Sequence, residues 1–280
     1  MSERQQTGAP EPERWQAAQE AEGRGLLTDL RQHLYGTATQ QMLEAAKLQP
    51  EDRVLDIAAG TGDQSRQAAR LVRPGGSVLA TDISQEMLDV AARLAQQEGL
   101  NNPTTRAMNA EQLDLPQNSY DAVISRLGLM LIKRLQRALT EMRRVLKPGG
   151  RLAALVWSKS ENNPLFALYV TMVAQSLKVE ELEEQRPDPF RLSDAALFAS
   201  MLTSAGFQEV QVQAIALTFQ FPSFETLAAW WGPPFEKVLA KLEPEPGQRM
   251  LGEVRQAVRP FEGPLGIVAP AELLLGVGRK

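Results

Sequence analysis

Val54-Leu55-Asp56-Ile57-Ala58-Ala59-Gly60-Thr61-Gly62-Asp63 decides how this chain is read. Val54–Ile57 is apolar, β-branched at both ends and bounded by turn signals, so it reads as a buried strand. Gly60 and Gly62 carry no Cβ, which lets the backbone turn sharply and approach a ligand closely. Gln64 to Val72 is helix-compatible, and the unpaired N–H groups of its first turn face whatever lies over the glycines. A strand, a tight glycine turn and a helix make a nucleotide pocket.

The alternation continues outward from this unit. Ser77–Thr81 reads as a strand and Gln85–Gln97 as a helix; Thr104–Met108 and Asp121–Ser125 read as strands. Leu135–Leu146 reads as a helix closed by Lys147-Pro148-Gly149-Gly150, and Leu152–Trp157 as a fifth strand. Strands alternating with helices across short turns predict a mostly parallel sheet covered on both faces. Later come a helix over Ser193–Ala205 with Ser193 as N-cap, a strand over Val210–Phe219 and a last strand over Ala271–Gly278. Residues 1–11 read as a disordered tail and 12–49 as a helical cap, with helices over Glu13–Glu22 and Leu26–Lys47 interrupted by Gly23, Gly25 and Gly36. Residues 50–280 form the nucleotide-binding domain. Its irregular segments 158–192 and 222–265 are too long for ordinary loops, which assigns them to the substrate.

Composition removes several chemistries. The 280 residues are 43% hydrophobic and 23% charged, ordinary for a chain with a sizeable core. A net charge of −4 and a pI near 5.3 argue against a general nucleic-acid binder. There are no cysteines and one histidine, so thiolate and histidine-built metal sites are not expected. The longest apolar run falls short of the roughly 18 residues of a membrane span. No signal peptide is recognisable, and the expected location is cytoplasmic.

The glycine turn leaves two nucleotides open. A pyridine-nucleotide site would show G-x-G-x-x-G, but the third position is Ser65; Asp82, roughly 20 residues on, could hold a ribose in either case. The surroundings separate the two. Asp56-Ile57-Ala58-Ala59-Gly60-Thr61-Gly62 resembles the D-x-G-x-G-x-G motif of class I S-adenosylmethionine (SAM) methyltransferases, with Ala58 in place of the first glycine. Asp82-Ile83-Ser84-Gln85-Glu86-Met87-Leu88 resembles their second motif. Asn109-Ala110-Glu111-Gln112-Leu113, followed by Pro116 to Asp121, resembles the stretch before their fourth strand, and Arg143 to Leu152 matches their helix-to-strand turn. Within the class, the chain resembles the ubiquinone/menaquinone-biosynthesis C-methyltransferase family over residues 50–160.

The resemblance implies a Rossmann-like fold with a seven-stranded, mostly parallel sheet. Its last strand would insert antiparallel between the fifth and sixth, with a helical insertion before it. It implies SAM as donor, S-adenosylhomocysteine as product and no metal. The backbone at Ala58, Gly60 and Thr61 would pass close to the cofactor, with Asp56 and Gly62 completing the turn. Asp82 would accept both ribose hydroxyls, and Ile83 and Met87 would flank the adenine. Asn109 would meet the adenine amino group through its side-chain oxygen, the Ala110 N–H a ring nitrogen, and Ser125 the methionyl part. Asp56 could instead anchor the turn, and Met87 could be helix core.

Methyl transfer is an in-line displacement, so alignment in a dry site matters most. Ser125-Arg126-Leu127-Gly128 replaces the N-P-P-(Y/F) of enzymes that methylate nucleobases or protein amides, so a small, largely apolar acceptor is expected, methylated at carbon or oxygen. His33 is the one side chain whose ordinary pKa suits a base near neutrality. Arg126 could hold an anionic acceptor or the SAM carboxylate. Trp15, Tyr35, Phe221, Phe224, Trp230, Trp231 and Phe235 are candidates to wall an apolar acceptor. The rival readings are a SAM-binding sensor or partner subunit without catalysis, and an NAD(P)-dependent oxidoreductase.

Overall fold

The computed structural model describes residues 26–176, 188–232 and 244–280. Trp15, Phe235, the helix expected over Glu13–Glu22 and the tail 1–11 lie outside the described residues. The strands are β1 (Arg53–Ile57), β2 (Ser77–Asp82), β3 (Pro103–Ala107), β4 (Tyr120–Arg126), β5 (Leu146–Trp157), β6 (Gln208–Phe221), β7 (Glu262–Gly263) and β8 (Gly266–Arg279). The helices are α1 (Leu26–Ala45), α2 (Asp63–Leu71), α3 (Gln85–Gln97), α4 (Leu135–Val145), α5 (Pro164–Ser176), α6 (Ala195–Ser204), α7 (Phe224–Trp231) and α8 (Pro244–Val258).

The sheet runs β3-β2-β1-β4-β5-β8-β6, with β7 paired to β8. β1 to β5 are parallel, and β8 enters antiparallel between β5 and β6, as the family resemblance implies. β8 begins earlier than its sequence pattern suggests, because Ile267 to Pro270 pairs with the end of β6. The two-residue β7 adds an eighth strand that no periodicity announced. In the β4–β5 ladder Tyr120 pairs with Leu146 and Ala122 with Arg151, so Lys147-Pro148-Gly149-Gly150 bulges within β5 instead of preceding it. Gly150 is required there, because a Cβ would stand 2.8 Å from Asp121 O and 2.9 Å from Lys147 O.

Two local expectations change. The cap of α6 is Asp194, whose carboxylate accepts from Leu197 N at 2.8 Å, and not Ser193. Gly36 does not interrupt α1, which stays helical through it. Nor is α1 only a cover: Leu34, Ala38 and Met42 pack into the same core as β1, β4 and β5.

The chain leaves β1 toward β2 on one side and returns to β4 on the other. Ligands of open α/β sheets bind at the carboxyl ends of strands flanking such a reversal. Here those ends are Ile57 to Gly62 and Arg126.

Candidate functional site: the carboxyl ends of β1, β2 and β4

The turn after β1 is held from three sides. Ala59 N donates to Thr81 O at 2.9 Å, and Gly62 N to Ala59 O at 3.0 Å. Gly60 N donates to Asp82 Oδ2 at 2.9 Å, while Ser84 N donates to Asp82 Oδ1 at 3.0 Å. Both Asp82 oxygens are thus oriented by backbone, and a carboxylate oxygen can accept more than one hydrogen bond. Gly62, at φ +76°, caps α2 with no side-chain acceptor, so first-turn N–H groups of that helix are not claimed by a cap. A Cβ on Gly62 would stand 2.9 Å from Ala91 Cβ.

Asp56 is fully buried and touches no open space. It accepts from Gln64 Nε2 at 3.2 Å and from Ser65 Oγ, so it anchors the start of α2 and not the turn N–H groups. Ser65, the departure from a glycine fingerprint, therefore has its own task. Burial pushes the Asp56 carboxyl up to about 7, against the pull of those two hydrogen bonds.

Behind the turn lies a polar cluster that sequence reasoning missed except for Thr61 and Arg126. Asp63 accepts from Arg66 Nη2 at 2.8 Å and from Arg126 Nη2 at 3.0 Å. Arg66 also donates to Thr61 O at 2.8 Å and Glu98 Oε1 at 2.9 Å. Arg31, from α1, donates to Thr61 Oγ1 at 3.0 Å. Burial opposes ionisation of Asp63, but Arg126, Arg31 and Arg66 outweigh it and hold its carboxyl below the ordinary carboxylate value. Burial in turn lowers the Arg31 guanidinium from its usual value. Three guanidiniums, those of Arg31, Arg66 and Arg126, thus gather around the Asp63 carboxylate beside the turn, with Glu98 also on Arg66. Asp63 and Arg66 share one helix face at i,i+3 spacing, the one clue the sequence offered.

Arg126 links this cluster to an aromatic wall. Its Nη1 donates to Thr39 Oγ1 at 3.1 Å, and its guanidinium lies 5.6 Å from the Tyr35 ring centroid. The Tyr35 hydroxyl accepts from Trp230 Nε1 at 3.1 Å, and burial raises its pKa. Tyr35 meets Phe219 edge-on at 5.3 Å and Trp157 at 6.1 Å, and Trp157 stacks on Phe166 at 4.1 Å. Trp231 does not face Tyr35: it is buried, donates to Leu165 O at 3.2 Å and joins the wall through Tyr169, on which it stacks at 6.2 Å. Phe221 and Phe224 are buried as well.

The remaining candidates are placed as follows. Ile83 is 60% exposed beside Asp82, and Met87 is buried with its Cε 3.4 Å from where a Gly60 Cβ would stand. Asn109 Oδ1 accepts from Glu111 N at 2.9 Å, so that oxygen closes a local turn. Ala110, next to it, is half-buried. Ser125 donates to Ile57 O at 2.9 Å, tying β4 to β1. His33 is exposed, on the side of α1 away from Arg31, Tyr35 and Thr39. Ala58 adopts φ +54°, and Gly128 passes so close that a Cβ there would stand 2.4 Å from Ala58 Cβ.

Residues 54–150 match the family model described as a methyltransferase domain. The ubiquinone/menaquinone biosynthesis C-methyltransferase UbiE of Ectopseudomonas mendocina is 36% identical over 178 residues, covering 60% of this chain and 70% of that one. Among solved structures, a putative methyltransferase from Bacillus halodurans, BH2331, has a TM-score of 0.62 at 20% identity over 87% of this chain and 99% of its own. YcgJ from Bacillus subtilis has a TM-score of 0.61 at 21% identity over 88% and 98%. At those identities the two structures show the fold alone. The relative and the motifs together show that the chain belongs to the class I SAM-dependent methyltransferases, in the family of the ubiquinone/menaquinone biosynthesis C-methyltransferases.

Proposed function

We propose that this enzyme methylates a carbon or oxygen of a small, largely apolar acceptor that lies against Tyr35 and Trp230. One observation carries the reading: Arg126 joins the polar cluster at the glycine turn to the aromatic wall, with Asp63 on one side and the Tyr35 ring on the other.

The residues present fit SAM. The oriented oxygens of Asp82 suit two ribose hydroxyls, and the exposed Ile83 with Met87 suits the faces of an adenine. Arg31, which donates to Thr61 Oγ1 at the turn, suits the methionyl carboxylate. Asn109 offers its NH2 more readily than its engaged oxygen. Bound SAM supplies an electrophilic methyl group, whose bond to sulfur breaks as the bond to the acceptor forms.

The chain's part is alignment and exclusion of water. Asp56 and Ser125 shape the site without touching it, and Trp231 supports the wall from within the core. Arg126 stabilises negative charge on an acceptor oxygen, so an ionisable hydroxyl can act without a carboxylate base. His33 has no part in this reading. An acceptor that loses a proton on methylation releases it to solvent.

Isotopically labelled SAM incubated with the enzyme and a panel of phenols, quinones and isoprenoid alcohols tests the proposal. Label is expected in an apolar hydroxylated ring. SAM binding by calorimetry without label in any acceptor would favour the silent sensor instead.

A further inference from the structure

The methyltransferase reading leaves unexplained a groove of about 540 Å³ between the start of α4 and α6. Leu135 and Leu192 contribute apolar lining, and Lys133, Arg134, Arg137 and Arg191 contribute charge. Among the described residues three carboxylates act on these cations: Glu111, Asp188 and, through Arg137, Glu141. Glu111 accepts from Arg134 N and Nε at 3.0 and 2.6 Å, and Asp188 faces Arg191. Four cations thus line the groove, and no carboxylate among the described residues does, on a chain whose net charge is −4. Lys133, Arg134 and Arg137 also gather at the amino end of α4, where the helix dipole disfavours positive charge. Arg191 is pinned by donating to Leu129 O at 3.2 Å and to Ile132 O, and its Nε is buried without a partner. A bound anion would relieve the mutual repulsion of cations gathered in this way.

The apolar surroundings say what kind of anion. Leu197, in the groove, is 47% exposed, and Leu131, two residues before Lys133, is 52% exposed. They are two of five exposed large hydrophobic residues among the described residues. Leu197 lines the groove with the cations and Leu131 adjoins Lys133 along the chain, whereas an acidic protein or free phosphate would require the charge alone. Binding at a lipid interface combines apolar insertion with attraction to anionic headgroups. The turn Leu129–Leu131 and the start of α4 follow the carboxyl end of β4. The groove therefore opens on the same sheet edge as the Gly60–Asp63 turn.

We propose that this groove is a docking surface for an anionic membrane face, with its cations on lipid phosphates and Leu131 and Leu197 in the interface. The full chain is sedimented with phosphatidylcholine vesicles with and without phosphatidylglycerol. It is expected to bind the anionic vesicles only, and less as salt rises. Each basic residue near an anionic surface strengthens partition roughly fivefold, so Lys133→Gln with Arg137→Gln should weaken it roughly thirtyfold. Leu131→Ser with Leu197→Ser should weaken it by roughly tenfold. Circular dichroism and SAM affinity should not change in either pair, since none of the four residues touches the glycine turn. Equal binding to both vesicle types, binding to neither, or undiminished binding by both pairs overturns the proposal. So does vesicle-independent self-association that the substitutions abolish, which would assign the face to a second copy.

Discussion

Arg126 at the end of β4 donates to Asp63 at the start of α2 across 3.0 Å, and both side chains are almost wholly buried. The pair spans the topological switch point, so the ends of β4 and β1 are held together by charge where their ladder stops at Asp56 and Ile124. Removing one member of a buried pair leaves an uncompensated charge, which typically costs about 3–5 kcal/mol. Arg126→Met is expected to lower stability in urea by about 3 kcal/mol, softened because Arg31 and Arg66 still face Asp63. A double-mutant cycle with Asp63→Asn should show coupling; additive losses would mean the pair is incidental.

Asp82 orients the turn through Gly60 N and Ser84 N, and on the proposed reading it also holds the ribose of SAM. Charge-assisted hydrogen bonds are worth about 1.5–3 kcal/mol, so Asp82→Ala should weaken SAM binding by tenfold or more. Asp82→Asn should also be impaired, because its NH2 would confront either Gly60 N–H or Ser84 N–H. Calorimetric affinity equal to that of the unaltered enzyme would remove Asp82 from the site.

Asp56 makes stability depend on pH in an unusual direction. Its folded-state pKa of about 7 lies above the ordinary 3.8. The folded form therefore binds the extra proton, and the associated stability is complete below about pH 4 and lost as pH rises through about 7. Asp63 acts oppositely: its depressed pKa gives stability present above the ordinary carboxylate range and lost as pH falls. The melting temperature should decline from about pH 5 to about pH 7 and level off by about pH 8. Asp56→Asn should flatten that decline while leaving the acid side unchanged.

Ala58 and Gly128 give substitutions of opposite sign. Left-handed backbone costs alanine about 1–2 kcal/mol, while glycine forfeits about 0.4–1 kcal/mol in chain entropy. Ala58→Gly should thus stabilise by about 0.5 kcal/mol. Gly128→Ala forces overlap with Ala58 Cβ and should destabilise by about 1–3 kcal/mol. Combined, the two should be less harmful than their sum, because the first removes the atom the second strikes. Denaturant midpoints for the four proteins check this.

Tyr35→Phe deletes the acceptor for Trp230 Nε1, a loss of about 0.5–1.5 kcal/mol. If the acceptor lies against this wall, its KM should rise while SAM affinity holds. Trp230 fluorescence should shift as its indole loses a fixed partner. Unchanged acceptor kinetics would place the acceptor elsewhere.

Much of the fold could be read along the chain because β1 to β5 and their helices are stated locally, in periodicity and glycine turns. Gln85–Gln97 was legible to the residue, whereas Lys147–Gly150 looked like a loop because a bulge uses the same residues. The glycine turn after β1 was legible for the same local reason. Arg31, Thr39 and the Asp63–Arg126 pair were not, since their partners lie 30 to 87 residues away in sequence. Ser125 and Asn109 were recognised by position, but their hydrogen bonds go to Ile57 O and Glu111 N, which only the folded backbone reveals. Trp230 and Trp231 are neighbours of identical type; which one faces Tyr35 depends on the phase of α7.

The insertion of β8 between β5 and β6 carries a consequence for how the molecule assembles. β5 finishes at Trp157, but the strand that covers its far side starts only at Gly266. Until that late segment docks, the middle of the sheet presents an apolar, unpaired ladder to any other chain nearby. Contacts of such long sequence separation form slowly, so crowded refolding should favour entanglement between copies over closure. Refolding yield should therefore fall steeply with protein concentration, and a peptide spanning β8, supplied in excess, should compete for the vacant slot.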